Sequence, residues 1–437
     1  MSSDTIAALA SGAGRAGVAV IRISGPGAGP ALFALTQQAA PEPRKAALRA
    51  FLDPRKGAAI DEGLALWFPG PGSFTGEDVV ELHAHGGPAV VAALLEALLA
   101  LEGMRIAEPG EFTRRAFAHG KLDLTQAEGL ADLIDADTDG QRAQALRQMQ
   151  GALGALYESW RARLIEAMAL LEAAIDFPDE DLPEDLAARV APKIAILRGE
   201  MADHLSDAQR GERVRDGYRI AILGAPNAGK SSLLNALARR EAAIVSDIPG
   251  TTRDVVEVRL VMAGFPVWIA DTAGLREAAD VIEAEGVRRA LARAEEADLR
   301  IGLVEAGQTV PPELQKALRS DDVVVASKSD LAAAGAGLIA VSVKTGTGLA
   351  ELEAALSERV AAALGVQEAP ALTRARHRFL LGQAAAALER AEAALFGGTE
   401  LAAEELRTAA FAVGKLTGRI DVEDLLDDIF SKFCIGK

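Results

Sequence analysis

A short stretch in the middle of the chain has the spacing of a phosphate-binding loop. Residues 224–231 fit the pattern G-x-x-x-x-G-K-[ST], between an apolar strand pattern at 218–223 and a helix pattern at 232–237. The glycines let backbone N–H groups turn toward phosphate oxygens at a helix start, whose dipole favours anions. Lys230 would reach the β- and γ-phosphates, and the Ser231 hydroxyl would reach a Mg²⁺ ion. The chain is therefore predicted to bind a nucleoside triphosphate.

Three later stretches, each at the end of a strand pattern, indicate which nucleotide is bound. Asp271 stands where an aspartate would lie near Mg²⁺, and the N–H of Gly274 would meet the γ-phosphate. The Asp330 carboxylate can accept hydrogen bonds from N1–H and the exocyclic amine of guanine, which adenine does not offer. Residues 342–344 would present backbone N–H groups to the guanine carbonyl oxygen. The order and spacing are those of a GTPase of the Ras-like superfamily, so GTP is favoured over ATP.

One residue departs from the pattern of that superfamily. Ser327 stands where these GTPases usually have asparagine. Serine is shorter and offers one hydroxyl in place of an amide, so guanine selectivity depends more heavily on Asp330. We therefore expect GTP binding with a somewhat reduced affinity.

The hydrolysis machinery predicted from the sequence is unusual. Small signalling GTPases place a water-orienting glutamine after the Asp-x-x-Gly motif, but here that residue is Leu275, which cannot hydrogen-bond to water. The carbonyl of Asn227, inside the phosphate loop, could hold a monovalent cation that supplies the positive charge of an arginine finger. The alternative is a slow switch with no special catalyst. The nearby carboxylates are Glu277, Asp280, Glu283 and Glu285.

Composition restricts the class of protein. The chain of 437 residues is long enough for two or three domains, and its single cysteine, Cys434, excludes internal disulfides and fits a reducing cytoplasm. It has neither a secretion signal nor a run of 18 or more uncharged apolar residues, so no membrane span is expected. A formal charge of −17 argues against nonspecific nucleic-acid binding, which depends on Lys and Arg.

The pattern along the chain predicts an α/β plus α fold of several domains. Residues 1–120 read as mixed α/β, 121–216 as helical, 217–361 as the GTPase domain, and 362–437 as helical again. The last helical block, residues 362–437, is too short to form a hydrophobic core by itself. We therefore expect a discontinuous helical bundle into which a Ras-like P-loop domain is inserted.

Two local motifs lead to further expectations. Thr125 and Glu128 have the spacing of a helix capping box. Residues 12–17 match G-x-G-x-x-G, the dinucleotide fingerprint, but a strand pattern at 18–23 follows where a helix should begin. A flavin or nicotinamide site at 12–17 is therefore rejected.

Taken together, the motifs resemble those of the bacterial tRNA-modification GTPase family MnmE, also called TrmE. A terminal Cys-Ile-Gly-Lys combined with an inserted GTPase domain is highly specific to this family. The resemblance spans the full length, and the stretches that carry it are 22–25, 73–78, 85–88, 109–113, 120–124, 224–231, 250–254, 271–275 and 433–437.

The resemblance implies a folate-binding N-terminal domain that also mediates homodimerisation. The folate, 5-formyl- or 5,10-methylene-tetrahydrofolate, would contact Arg22, Glu81, Lys121 and Lys437. The family works with an FAD-dependent partner, MnmG, in a heterotetramer or larger complex. Together they install an aminomethyl-type group on C5 of the wobble uridine, position 34, of certain tRNAs. The partner carries the flavin, which agrees with rejecting residues 12–17.

The resemblance also assigns roles at the nucleotide. Glu283 would act on the hydrolytic water and Lys230 on the phosphates, Mg²⁺ would be held by Ser231 and Thr252, and potassium by Asn227 together with Ser246, Ile248 and Thr251. The residues expected to contact GTP are Asn227, Ala228, Gly229, Lys230, Ser231, Ser232, Ser246, Asp247, Ile248, Pro249, Gly250, Thr251, Thr252, Asp271, Thr272, Ala273, Gly274, Lys328, Asp330, Ser342, Val343 and Lys344.

Two readings compete with this one, and several details stay open. A regulatory ribosome-assembly GTPase related to Era usually has a basic RNA-binding appendage, which this acidic chain lacks. A folate-binding scaffold with a vestigial GTPase is opposed by the intact Lys230, Ser231 and Asp271. The sequence leaves open the substrate tRNAs, the amine donor (glycine or ammonium) and the role of Cys434. Our hypothesis is that the tail reaches the folate pocket, with 421–429 packed on the helices.

Overall fold

The computed structural model describes residues 4–176, 186–240, 257–271, 295–365, 370–420, 423–431 and 433–436. They belong to two compact units. The first comprises residues 1–131, 148–166 and 407–437, and the second comprises residues 132–147 and 167–406.

The first unit contains a six-stranded mixed sheet. Its order is β3-β4-β5-β2-β1-β6, and β1 and β6 are parallel while the other neighbours are antiparallel. The strands are β1 (Thr5–Leu9), β2 (Ala16–Ser24), β3 (Ala47–Leu52), β4 (Ala59–Phe68), β5 (Val79–Gly86) and β6 (Met104–Ile106). Residues 10–15 connect β1 to β2, so the glycine-rich stretch 12–17 lies in this loop and at the start of β2, and it leads into a strand and not a helix.

One face of this sheet is covered by two helices, α1 (Ala28–Thr36) and α2 (Pro88–Leu99). Alternate strand residues such as Ile21 and Ile23 point to this face, because successive side chains of a strand point to opposite sides. They pack with Leu32 and Leu94 of the two helices. The resulting core fixes β2 and β5, which carry the predicted folate contacts Arg22 and Glu81.

Helices complete the first unit. They are α3 (Glu111–Ala118), α4 (Leu124–Ile134) and α14 (Glu423–Phe430). The amphipathic stretch before the tail packs as predicted, with Ile429 and Phe430 against Leu124 of α4. The ring of Phe433 lies 5.5 Å from that of Phe430.

The predicted capping box of α4 is displaced by two residues. The Gln126 N–H donates to Asp123 Oδ1 at 2.9 Å, and the Asp123 N–H donates to Gln126 Oε1 at 2.9 Å. This is the reciprocal pattern of a capping box, formed by Asp123 and Gln126. Thr125 and Glu128 are buried within the helix instead.

The second unit contains a six-stranded sheet of order β12-β11-β10-β7-β9-β8. It is parallel except for the antiparallel β8–β9 hairpin. The strands are β7 (Tyr218–Gly224), β8 (Glu257–Met262), β9 (Phe265–Asp271), β10 (Leu299–Glu305), β11 (Val323–Ser327) and β12 (Ile339–Ala340).

Both faces of this sheet are apolar, as expected of a parallel sheet. In β7, Ile220 and Ile222 pack on the side of α9 (Lys230–Arg240) and α11 (Leu349–Leu364). Ala221 and Leu223 pack on the other side with Leu314 of α10 (Pro312–Ala317). Because the strands are held on both sides, the loops at their carboxyl ends have a rigid base.

The second unit also has helices outside this sheet. They are α7 (Leu186–Ser206), α8 (Ala208–Asp216) and α12 (Ala375–Ala394). Four helices have residues in both units, namely α4, whose residues 132–134 belong to the second unit, α5 (Asp139–Met149), α6 (Ala152–Asp176) and α13 (Thr399–Thr417). Within the described ranges, no helix is long and apolar enough to cross a membrane.

Candidate functional site

The phosphate loop connects β7 to α9 in the arrangement that the sequence predicts. β7 ends at Gly224, whose φ is 156°, and α9 begins at Lys230. A Cβ on Gly224 would lie 2.4 Å from the Leu303 carbonyl oxygen, so glycine is needed for the close approach of β10. Asn227 and Gly229 have φ values of 63° and 97°, in the left-handed region where Asn and Gly are favoured.

Lys230 lies inside this loop. Its ammonium donates to the carbonyl oxygens of Gly224 at 2.8 Å and Ala225 at 2.9 Å. Burial lowers the pKa of Lys230, and the Asp271 carboxylate opposes that effect. Two carbonyl oxygens of the loop therefore hold this ammonium at the end of β7.

Ser231 and Asp271 are brought together although 40 positions separate them. The Ser231 hydroxyl donates to Asp271 Oδ2. Asp271 lies at the end of β9, which is paired in parallel with β7, so both residues are at the same sheet edge. Two hard oxygen donors next to a phosphate loop are a suitable start for a Mg²⁺ site.

A cavity of about 390 Å³ lies beside the loop. Its lining combines apolar side chains with the polar groups predicted to recognise guanine, which is the usual composition of a ligand site. The lining residues are Gly229, Ser232, Leu233, Leu303, Ser327, Lys328, Asp330, Leu331, Val341, Val343 and Lys344.

Asp330 is held at this cavity by Ser342. The Ser342 hydroxyl donates to Asp330 Oδ1 at 2.7 Å, and its backbone N–H donates to the Thr347 carbonyl at 3.0 Å. The hydrogen bond from Ser342 lowers the pKa of Asp330, with a smaller contribution from Lys344. The carboxylate is therefore an ionised acceptor at the cavity, and the contact of Ser342 with it is made by the hydroxyl.

The Ser327 hydroxyl has a local partner. It donates to the Val304 carbonyl oxygen on the neighbouring strand at 3.2 Å. The next residue, Lys328, has a φ of 55°, and its ammonium pairs with Glu305 at the end of β10. Sequence reasoning did not find Glu305, although a carboxylate at the end of the adjacent strand was a usable signal.

The predicted folate residues lie in the first unit. Arg22 and Glu81 are direct partners across β2 and β5 and form an ion pair at 2.9 Å. The Arg22 guanidinium lies 5.7 Å from the ring centroids of Phe74 and Phe112, neither of which the sequence reasoning identified. The Lys121 ammonium donates to the Pro71 carbonyl at 3.0 Å.

The tail packs against the first sheet. Ile435 forms a β-bridge with Pro109, and the Gly110 N–H donates to the Cys434 carbonyl at 3.4 Å. A Cβ on Gly436, whose φ is 98°, would lie 2.1 Å from the Leu9 carbonyl oxygen. Cys434 itself is exposed.

Several predicted site residues lie outside the described ranges. They are Ser246, Asp247, Ile248, Pro249, Gly250, Thr251, Thr252, Thr272, Ala273, Gly274, Glu283 and Lys437, as well as Leu275, Glu277, Asp280 and Glu285.

Comparison with known proteins adds independent evidence. The family model described as "GTP-binding protein TrmE N-terminus" matches residues 5–121, and "MnmE helical domain" matches residues 124–434. The chain is 62% identical to tRNA modification GTPase MnmE of Parvibaculum lavamentivorans, over 99% of this chain and 100% of the relative. It is 56% identical to that of Maricaulis maris, over the full length of both proteins.

Similarity to solved structures is weaker. The G domain of the T. maritima FeoB iron transporter is 23% identical, with a TM-score of 0.25 over 32% of this chain and 97% of that chain. A variant of Aquifex aeolicus Era is 24% identical, with a TM-score of 0.27 over 39% of this chain and 66% of that chain. Scores of this size carry no conclusion about function.

Proposed function

The chain belongs to the family of the tRNA modification GTPase MnmE, and from this premise we propose the reaction in which its GTP hydrolysis takes part. The chain is a GTPase that acts in tRNA modification. We propose that, with the FAD-dependent partner MnmG, it adds an aminomethyl-type group to C5 of the wobble uridine, position 34, in certain tRNAs. The carbon would come from a folate one-carbon unit, and the reaction would take place in the cytoplasm.

The observation that carries the GTPase part is one cavity lined by Asp330, which Ser342 holds by a hydrogen bond, and by Gly229 of the phosphate loop. A carboxylate with a lowered pKa is an acceptor that matches the two adjacent donors of guanine. Lys230, at the end of the phosphate loop and the start of α9, would supply positive charge for the phosphates. Asp330 follows β11 and the phosphate loop follows β7. Because both strands belong to the same parallel sheet, the sheet would fix the distance between the base site and the phosphate site.

Metal and cation binding would use side chains of the same loop. Ser231 and Asp271, already in contact, suit a small hard cation such as Mg²⁺, with Thr252 as a further ligand. Asn227 would supply one oxygen for potassium, with Ser246, Ile248 and Thr251. A bound potassium would add positive charge next to the β- and γ-phosphates. Glu283 would orient the water in place of the missing glutamine.

The folate site would lie around Arg22 and Glu81. The ion pair puts a carboxylate acceptor and a guanidinium donor side by side, with two aromatic rings at 5.7 Å from the guanidinium. This combination suits a flat heterocycle that both donates and accepts hydrogen bonds. Lys121 and Lys437 would add positive charge for the folate carboxylates. A folate supplies the one-carbon unit when bound.

The tail would contribute to the folate site. Gly436 lies close to the carbonyl of Leu9, where a Cβ would not fit, and Leu9 pairs with Ile21, the neighbour of Arg22. Deletion of residues 434–437 is expected to abolish tRNA modification while GTP hydrolysis persists. If Cys434→Ser retains modification, the tail positions substrate or partner and the thiol does no chemistry.

The assembly that we propose is a homodimer formed by the N-terminal domain, joined by MnmG in a heterotetramer or larger complex. The support is the family membership.

The decisive experiment is nucleoside analysis of bulk tRNA from a strain that lacks the protein. Mass spectrometry should show loss of one C5-modified uridine, restored by the wild-type chain but not by Lys230→Ala. An unchanged nucleoside profile combined with abnormal ribosomal subunits would refute the proposal. It would favour the alternative, a regulatory ribosome-assembly GTPase.

A further inference from the structure

Residues 132–147, which we call the docking segment, belong to the second compact unit. The residues on either side, up to 131 and from 148, belong to the first unit. The docking segment comprises the end of α4, a short connection and most of α5. It contains none of the predicted nucleotide contacts.

The docking segment holds the tip of the β8–β9 hairpin through Gly140. The Gly140 N–H donates to the Gly264 carbonyl oxygen at 2.9 Å. A Cβ on Gly140 would lie 2.4 Å from a ring carbon of Phe265 and 3.0 Å from the Gly264 oxygen. Ala263 and Gly264 form the turn with φ values of 51° and 81°. Only glycine at 140 allows this approach without displacement of the ring.

A second contact joins the docking segment to the side of the same hairpin. Arg259 of β8 pairs with the Asp137 carboxylate. The Arg259 guanidinium also lies 5.6 Å from the ring centroid of Trp268 on β9. The Trp268 indole N–H donates to the Asp216 carbonyl at 3.0 Å, just before β7. Asp137 is therefore linked through Arg259 to both strands of the hairpin.

The docking segment also contacts the chain just before β7 and the chain after α11, which are the entry to the second sheet's domain and the exit from it. Gln141 and Gln144 donate to the carbonyls of Arg215 and Gly211 in α8, at 2.8 and 2.9 Å. Asp132 accepts from Arg215 at 2.9 Å and from Arg374 at 2.7 Å. Arg215 precedes β7 and Arg374 follows α11. One carboxylate thus joins the entry to the sheet and the exit from it.

The hairpin itself ends at the nucleotide site. β9 runs from Phe265, which touches Gly140, to Asp271, which contacts Ser231 of the phosphate loop. β9 is paired with β7 from Val267 to Asp271 and with β8 from Phe265 to Ala270, so a shift at Asp271 would be passed along the hairpin to its tip. Small shifts at one site reach another when the packed contacts between them can switch between two distinct arrangements.

We propose that the docking segment is the coupling element between the nucleotide state and tRNA modification, and that the Gly140–Gly264 and Asp137–Arg259 contacts position it. The inference rests on the proposed function, because it needs a modification reaction to which GTP hydrolysis is coupled. Asp137 and Gly140 are positioning residues, since they act through the hairpin.

The chain offers a matched control for the test. Asp137→Asn removes the charge that pairs with Arg259. Asp139→Asn makes the same change two residues later, where the carboxylate pairs within its own helix with Arg142 at 3.2 Å and, among the described residues, with no part of the hairpin. Gly140→Ala places a methyl group against Phe265. These variants are made in the full chain and compared with the wild type.

Hydrogen–deuterium exchange measures whether the bound nucleotide changes the docking segment. Peptides within 132–147 should exchange differently with GDP and with a non-hydrolysable GTP analogue in the wild type and in Asp139→Asn. In Asp137→Asn and Gly140→Ala the difference should fall by at least about half, since a lost contact uncouples the two sites. An exchange pattern in Asp137→Asn equal to that of the wild type overturns the inference.

Activity measurements complete the test. In Asp137→Asn and Gly140→Ala, tRNA modification should fall about tenfold, a typical size for coupling, while GTP hydrolysis stays within about twofold. A parallel loss of hydrolysis would mean that the segment only supports the nucleotide site, which overturns the inference. If the wild type does not modify tRNA at all, the proposed function fails. The exchange experiment does not depend on tRNA modification, so its result shows separately whether the nucleotide state reaches residues 132–147.

Discussion

The Ser342 hydroxyl donates to Asp330 Oδ1 at 2.7 Å and so joins two loops that line the proposed nucleotide cavity. The hydrogen bond stabilises the charged form of the carboxyl and lowers its pKa below the ordinary 3.8. A group with a lowered pKa keeps its charge-dependent binding above that value and loses it only as the pH falls through it. Guanine recognition should therefore be independent of pH down to mildly acidic conditions.

The first prediction concerns Ser342→Ala. The Asp330 carboxyl should then titrate at higher pH, nearer 3.8, as followed by carboxyl NMR. GDP affinity at neutral pH should fall by about threefold to tenfold, the effect of one lost hydrogen bond. An unchanged titration midpoint would show that the backbone and Lys344 set the pKa.

The second prediction concerns Ser327→Asn. The serine hydroxyl is used by the Val304 carbonyl, so an asparagine amide would add a group that bridges the neighbouring loops. GTP should bind about fivefold tighter, which corresponds to about 1 kcal/mol for one net hydrogen bond. Calorimetric titration measures the gain. Ser329→Asn, in the same loop, is the control and should give none; equal affinities for all three proteins would contradict the prediction.

The third prediction is that potassium, and much less sodium, accelerates GTP hydrolysis. A site formed by several backbone and amide oxygens fits the larger ion. Turnover is compared in potassium and sodium chloride at equal ionic strength. Asn227→Gly should abolish the difference, because glycine tolerates the φ of 63° while removing the amide oxygen. Equal turnover of the wild type in the two salts would refute the cation site.

The fourth prediction concerns the hydrolytic water. Glu283→Ala should reduce GTP turnover by about 10²-fold or more while nucleotide binding stays near normal, as expected for a residue that orients water. Single-turnover hydrolysis and nucleotide titration separate the two effects. Glu285→Ala is the matched comparison. If that variant is the one that loses turnover, the role belongs to Glu285.

The fifth prediction concerns the stability of the second unit. Burial lowers the pKa of His204 from 6.5 to about 4, a change that Asp207 opposes and His377 reinforces. Between these values the unfolded chain binds a proton that the folded chain does not, so stability falls as the pH falls from about 6.5 to about 4.

The loss attributed to His204 should approach about 3 kcal/mol at about 1.4 kcal/mol per pKa unit. Urea unfolding of the full chain at a series of pH values measures it. His204→Gln should weaken the dependence in this range. The same slope in the variant and in the wild type would assign the effect to other groups.

The sequence was sufficient for the parts of the site that are local in the chain. The phosphate loop depends on glycines at fixed spacing between a strand and a helix, and the structure places β7 and α9 accordingly. Strand and helix patterns likewise predicted the mixed α/β N-terminal domain, and the order of the motifs predicted the Ras-like P-loop domain. Local conformation is set by neighbouring residues, so patterns along the chain predict it.

Capping of α4 shows how a local prediction fails. Thr125 and Glu128 have the correct spacing, and so do Asp123 and Gln126, which form the reciprocal hydrogen bonds. The choice between two overlapping motifs is made by burial, because Thr125 and Glu128 are fully buried. Spacing alone does not contain that information.

Only the tertiary structure decided which distant residues meet. It pairs Ser342 with Asp330, Lys328 with Glu305 and Gly140 with Gly264. Strand order sets the first two contacts and the packing of α5 on the hairpin sets the third, and both result from burying apolar faces. A sequence determines which residues can bind phosphate or guanine, but the free energy of burying the whole core determines which of them lie within hydrogen-bonding distance.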